Sequence, residues 1–250
     1  MNKSEEQEIK KEFQLERVIL FSDAVFAIII TIMVLDIRLP EDIRHADAAH
    51  VRKAFLELIP KALAYGLSFF LVSKFWLGHL KMFSHLKDYD AKLLTYNLLY
   101  LFSVSLFPFA VTLISGNVNP SGPAYGWGIY TYAAVIFITT LFQTLLSRYL
   151  VRNSERLCFE PKMVPVVLKY RALQYNFITI PVAAVVVFGI SWFNFPAYYS
   201  MVAVGLYGAF MGRLFKRFYP EARNGLVVMR LFSSIKKRRR RLPAKPVAEE

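Results

Sequence analysis

Six runs of apolar residues punctuate this chain, at about 18–39, 61–80, 93–114, 126–147, 172–192 and 197–215. Each approaches the roughly 20 residues that a helix needs to cross about 30 Å of hydrocarbon. The pattern therefore predicts an all-α, polytopic membrane protein with six transmembrane helices. The polar connections between the runs differ in charge. Residues 115–125, Ser-Gly-Asn-Val-Asn-Pro-Ser-Gly-Pro-Ala-Tyr, and the turn Trp192–Pro196 carry no charge and belong outside. The connection 148–171 carries Arg148, Arg152, Arg156, Lys162, Lys169 and Arg171, and the stretch from Arg213 ends in the run Lys236–Arg241. By the positive-inside rule these two are cytoplasmic. Parity then places both termini and 82–92 inside and 40–60 outside, where Glu41, Asp42, Asp47 and Glu57 offset Arg44, Arg52 and Lys53. The expected division is a cytoplasmic N-terminal segment 1–16, a six-helix membrane domain 17–215 and a basic tail 216–250. Pro108 and Pro181 fall inside apolar runs, where they predict kinks in otherwise unbroken helices.

Composition sharpens this picture. A mean hydropathy of +0.37, with 22 Phe and 14 Tyr among 250 residues, lies outside the range of ordinary soluble domains. An excess of 31 Lys and Arg over 18 Asp and Glu would also suit nucleic acid, but its clustering at the cytoplasmic connections reads as topology and as attraction to anionic lipid, about 1 kcal/mol per charge near the surface. No nucleic-acid partner is expected. The first sixteen residues alternate acid, base and amide without a cleavage signature, so they do not read as a removable signal peptide. The lone Cys158 allows no intrachain disulfide.

The first apolar run holds the most informative residue. Asp23 lies at membrane depth, where a carboxylate costs up to roughly 2.5–3.5 kcal/mol at a helix centre, so it needs a partner. At 100° per residue, Thr31, Ile32 and Leu35 fall within about 60° of Ile28, and Asp23 lies on the other side of the helix with Ala27, Ile30, Val34 and Ile37. The apolar stripe packs against a neighbour or lines a passage; one chain would supply only one wall of it. The carboxylate points into the subunit. Arg17, His79 and Asn97 are its candidate partners, all near the cytoplasmic side. A satisfied polar network is the first reading and a proton relay through His79 the second. His45, His50 and His85 lie in polar connections, and no His, Cys, Asp and Glu spacing suits a metal. No catalytic motif appears, and Tyr125-Gly126 lacks the context of a carbonyl filter.

Arg17-x-x-x-Phe21-Ser22-Asp23 closely resembles the signature of the lysosomal potassium channel family, transmembrane protein 175, and its bacterial homologues. Trp76-x-x-His79 and Asn97, followed by Leu106-Phe107-Pro108-Phe109, resemble the family's second and third landmarks. The specific motifs cover the first half of the chain. The resemblance implies a channel passing K⁺ and other monovalent cations passively, without a carbonyl filter and without a cofactor. Its first helix would line the pore, with the constriction at Ile28, Ile32 and Leu35 and a hydroxyl at Thr31. One six-helix repeat implies a bacterial-type homotetramer in the cytoplasmic membrane. A proton-coupled secondary transporter built on Asp23 and His79 is the rival; it would be expected to show repeats and broken helices. A membrane-embedded enzyme would need convergent reactive groups.

Overall fold

The computed structural model describes residues 3–39, 43, 47–115, 123–193, 195–196 and 198–218. The run Lys236–Arg241, His45 and most of the connection 115–125 lie outside the described residues. Among the described residues the secondary structure is helical, with a single isolated β-bridge between Leu86 and Cys158.

Helix α1, Lys3–Ile32, starts well before the first apolar run. Its opening turns are rich in Glu, Lys and Gln, strong helix formers in water, so the helix continues beyond the hydrocarbon before tightening into a 3₁₀ turn at Met33–Asp36. Helix α2, Ala48–Phe83, starts at Asp47, whose carboxylate accepts from the His50 N–H at 3.0 Å. This N-cap corrects the expected outer loop 40–60: from Ala48 onward it is helical, because Arg52, Lys53 and Glu57 are good helix formers as well as polar residues. At 36 residues, α2 is about 54 Å long, far more than a bilayer core needs.

The third apolar run is broken rather than kinked. Helices α3, Ala91–Ser105, and α4, Phe107–Ser115, meet at Leu106. Pro108 has no N–H to bond the Val104 carbonyl and its ring crowds that carbonyl, so the ladder stops and restarts. Leu106 bridges the break, donating to Ser103 O at 3.4 Å and accepting from the Ala110 N–H at 3.0 Å. The expectation of unbroken helices is thus corrected at this position. Helix α5, Pro123–Arg152, packs along both α3 and α4. Three single-turn helices follow, α6 Ser154–Leu157, α7 Val164–Val167 and α8 Tyr170–Leu173. Helices α9, Asn176–Trp192, and α10, Tyr198–Phe218, pair with each other and with α5.

Among the described residues five stretches are long and apolar enough to cross a membrane: Lys11–Asp36, Ala48–Phe83, Ala91–Ser115, Tyr125–Arg152 and Tyr170–Ile190. Helix α10 has 21 residues but carries Arg213, Lys216 and Arg217, so it matches the other spans in length and not in hydropathy. The protein is a multi-pass membrane protein. Its core lies where α1, α2, α3, α4 and α5 converge, around fully buried Phe26, Phe83, Tyr100 and Phe107. The outer faces stay apolar, as at Val182, Val185 and Leu206, which suits lipid rather than water.

Candidate functional site: helix α1 and its polar anchors

Helix α1 has two faces of different character. Leu15, Ser22, Phe26, Ile29 and Met33 recur at helical spacing and are all buried against the rest of the subunit. On the opposite side Phe21, Ile28, Thr31, Ile32 and Leu35 are exposed; Ile28 is 59% exposed, Ile32 47% and Leu35 54%. Those residues are not filling a core within one subunit. Thr31 lies among them, and its Oγ1 donates to the carbonyls of Ala27 at 2.8 Å and Ile28 at 3.0 Å. With its one proton spent on its own helix, the hydroxyl presents lone pairs outward, where they can accept or coordinate.

Two separate polar contacts fix the buried face. In the first, His79 Nε2 donates to Asn97 Oδ1 at 2.9 Å, Asn97 Nδ2 donates to Ser22 Oγ at 3.0 Å, and Ser22 Oγ donates to the Val18 carbonyl at 2.9 Å. The direction of every bond follows from the end point, since a carbonyl only accepts. This assigns the Asn97 amide orientation and leaves His79 with its proton on Nε2. Ser22, His79 and Asn97 are buried to 2% exposure or less. The imidazole stacks on Phe83 at 4.1 Å between ring centroids, with Tyr100 and Phe26 within 6.0 Å, and its Nδ1 has no hydrogen-bond partner. Tyr100 in turn donates its hydroxyl to the Phe75 carbonyl at 3.0 Å.

In the second contact, Trp76 Nε1 donates to Asp23 Oδ1 at 2.9 Å. This corrects the sequence-based partners of Asp23. The carboxylate meets the indole; His79 and Asn97 belong to the Ser22 chain, and Arg17 is exposed on the other side of α1. The physical reason is helical phase: Ser22 and Asp23 are 100° apart, so they address different parts of α2 and α3. The motif residues Ser22, Asp23, Trp76, His79 and Asn97 are therefore brought together as two separate groups, Ser22 with His79 and Asn97 and Asp23 with Trp76, whereas Arg17 and Phe21 remain outward.

Three further polar groupings were not visible in the sequence reading. At the far end of α1, Ser115 Oγ donates to Asp36 Oδ2, and Ile32, Met33, Leu35, Arg38, Pro108 and Phe109 line a cavity of about 510 Å³ beside it. In the second half, Asn176 donates to Thr144 Oγ1 at 2.9 Å and accepts from the Tyr207 hydroxyl at 3.2 Å, tying α5, α9 and α10 together. A lone Asn inside an apolar run was the available signal. In the connection between α2 and α3, Asp90 caps α3 by accepting from the Leu93 N–H at 2.8 Å and also takes Tyr149 and Arg156. Burial alone would raise the Asp90 pKa, but the Tyr149, Leu93 and Arg156 contacts outweigh it and hold the carboxyl below its ordinary value. The adjoining residues dock the extension of α1: Lys11 pairs with Asp88 at 3.5 Å and Tyr89 donates to Gln14. Cys158 is buried, and burial pushes its thiol pKa up against the opposing effect of Lys87. Among the described residues no three His, Cys, Asp or Glu side chains converge in the manner of a metal site.

Residues 17–108, which carry every one of the α1, α2 and α3 anchors, match the family described as the endosomal/lysosomal potassium channel TMEM175. A potassium channel of Chryseobacterium sp. (strain P1-3) is 33% identical over 132 residues, covering 53% of this chain and 62% of that protein. A potassium channel of Chamaesiphon minutus is 30% identical over 135 residues, covering 52% of this chain and 66% of its own length. The endosomal/lysosomal proton channel TMEM175 of Rattus norvegicus is 29% identical over 133 residues, covering 51% of this chain and 26% of the rat protein. The match thus spans less than two thirds of the bacterial relatives' length and about a quarter of the mammalian one. The crystal structure of a lysosomal potassium-selective channel TMEM175 homolog from Chamaesiphon minutus superimposes with a TM-score of 0.62 at 21% identity, covering 82% of this chain and 98% of that one, which shows the shared fold. Residues 17–108, which hold the anchored α1 and its outward apolar stripe, are thus the part of the chain that is similar to the TMEM175 family.

Proposed function

We propose that this protein is a potassium-permeable cation channel in which several copies, four by analogy with the expected homotetramer, place the α1 stripe around a central passage. The observation that carries the reading is the division of α1: one face is fixed to the subunit by Ser22, Phe26 and Ile29, and the other holds Ile28, Ile32 and Leu35 open to the outside of the subunit. A ring of such side chains narrows a passage and controls it by dewetting. Thr31 is the one hydroxyl on that stripe, and its free lone pairs suit a partly dehydrated K⁺. Flux is passive, and K⁺ is the permeant ion rather than a cofactor. The six-span topology with both termini cytoplasmic, residence in a bacterial cytoplasmic membrane, and contact of the Lys236–Arg241 tail with anionic lipid belong to the same proposal.

The rival, a proton-coupled transporter using Asp23 and His79, is disfavoured by the contacts. Asp23 meets an indole N–H, which donates and cannot accept, and His79 sits in a chain that ends on a carbonyl. Among the described residues no hydrogen bond joins the two groups, which favours the channel reading. Purified protein in liposomes tests the reading: uncoupled K⁺ flux is expected, raised by Ile28→Asn or Ile32→Ala. Flux that is strictly coupled to a proton gradient, or unchanged in every stripe variant, would overturn it.

A further inference from the structure

Helix α2 carries a charge, Lys74, that has no ion-pair partner among the described residues of its own copy. Leu63, Leu67 and Phe70 form an exposed apolar stripe at helical spacing, and Lys74, also exposed, continues it four residues on. Between Lys61 and Lys81, Lys74 is the only Lys, Arg, Asp or Glu. Twenty residues of helix rise about 30 Å, the thickness of the hydrocarbon, so Lys61 and Lys81 mark its two edges. Lys74 then lies about 10 Å inside the edge at Lys81. A lysine stem reaches about 6 Å, and helical side chains lean toward the N-terminus, here away from the cytoplasmic edge. Snorkelling falls short, so the ammonium needs a counter-charge within the membrane.

One carboxylate is available at that depth. Asp23 lies six residues inside Arg17, about 9 Å from the cytoplasmic edge, and its bond to Trp76 holds it level with this part of α2. Asp23 is half-buried, Oδ1 takes the indole, and among the described residues Oδ2 accepts nothing. The other described aspartates are engaged elsewhere: Asp36 at the opposite end of α1 with Ser115, Asp47 with His50, and Asp88 and Asp90 with Lys11 and Arg156. Lys74 is about 200° around α2 from Trp76, so it faces away from Asp23 of its own copy. Arg17 is about 9 Å nearer the cytoplasm than Asp23 and faces with the Ile28 stripe.

We propose that Lys74 of one copy pairs with Asp23 of the next, a charge clasp across the subunit interface that also orients α1, the helix bearing the stripe. The inference rests on the multi-copy reading above. It commits the exposed α2 face near Lys74 to a second copy of this chain, on the complementarity of two otherwise unanswered charges at one depth. Losing one partner strands the other in a low-dielectric setting, which is where breaking an ion pair is most damaging.

Two measurements test it. Differently tagged copies, one Asp23→Cys and one Lys74→Cys, each with Cys158→Ser, are co-expressed and treated in membranes with a short bifunctional thiol reagent. A disulfide alone would demand Cα atoms within about 7 Å. A covalent heterodimer is expected from the mixture and none from either copy alone. Its absence from an intact oligomer overturns the clasp, whereas a wild-type protein that is monomeric by native mass measurement overturns the multi-copy reading and the clasp with it. The second is a double-variant cycle on the thermal dissociation of the oligomer, using Lys74→Met and Asp23→Asn, which keeps an acceptor for Trp76. Each single variant is expected to lower the midpoint, and the double to fall no further than the worse single. Additive losses overturn the clasp. So does a Lys74→Met oligomer of unchanged midpoint that retains less anionic lipid, which would make Lys74 a lipid anchor instead.

Discussion

Replacing Asn97 with Leu tests whether the buried chain under α1 is a structural anchor. The change keeps the branched four-heavy-atom skeleton while removing both bonds that Asn97 makes, leaving the His79 Nε2–H and the Ser22 oxygen without their partner. In a water-soluble core each stranded group would cost about 1–3 kcal/mol. Interhelical bonds in membranes are worth less, about 0.6 kcal/mol on average and up to about 1.7, because the separated helices find other partners. Here the imidazole is enclosed by Phe83, Tyr100 and Phe26 and is 0% exposed, so relief by rearrangement is limited. The expected loss is therefore about 1–3 kcal/mol for the pair of bonds, between the two scales. Thermal unfolding of the detergent-solubilised protein, followed by the monodisperse fraction, reads the loss, and K⁺ flux in liposomes reads the consequence for α1. A variant with native stability and native flux would refute the anchoring role. Native stability with loss of proton flux alone would restore the relay.

Other expectations follow from single positions. Ile28→Asn should raise K⁺ flux and relax ion preference while assembly holds, as measured by tracer uptake with K⁺ and Na⁺. Gly128→Ala should be destabilising by about 1–3 kcal/mol, because a Cβ there would lie 2.7 Å from the Leu113 carbonyl oxygen and force α5 off α4; a native melting midpoint would show that the helices part freely. Asp90 has a lowered pKa, so its contribution is present above the ordinary carboxylate value near 3.9 and is lost as pH falls through the still lower folded value; Asp90→Asn should lower the melting midpoint at neutral pH and flatten its decline below about pH 4. Deleting residues after Arg230 should weaken binding to vesicles containing anionic lipid, most at low salt, and leave flux intact.

What the sequence revealed, and what it hid, follows from the range over which each signal acts. The apolar runs report a thickness that the bilayer imposes on every span, so five spanning stretches and their order were legible directly. Helix ends were not, because Glu, Lys and Arg in α1 and α2 satisfy both a polar loop and a water-exposed helical extension, and hydropathy alone does not separate the two. The two faces of α1 were legible because 100° per residue fixes relative direction along one helix. Asp23's partner was not, because choosing between His79 and Trp76, three residues apart on α2, requires the rotation of α2 against α1, which no single-helix pattern contains. The same limit hid Asp36 and Ser115, which come from segments nearly eighty residues apart in sequence and meet only when α4 packs beside the 3₁₀ turn. Charges such as Lys74 are the remaining case: the composition displays them, but their meaning appears only once depth along the helix and facing direction are both known. A polar residue inside an apolar run thus announces that a partner exists, and packing decides whether that partner lies on the next helix or on the next copy of the chain.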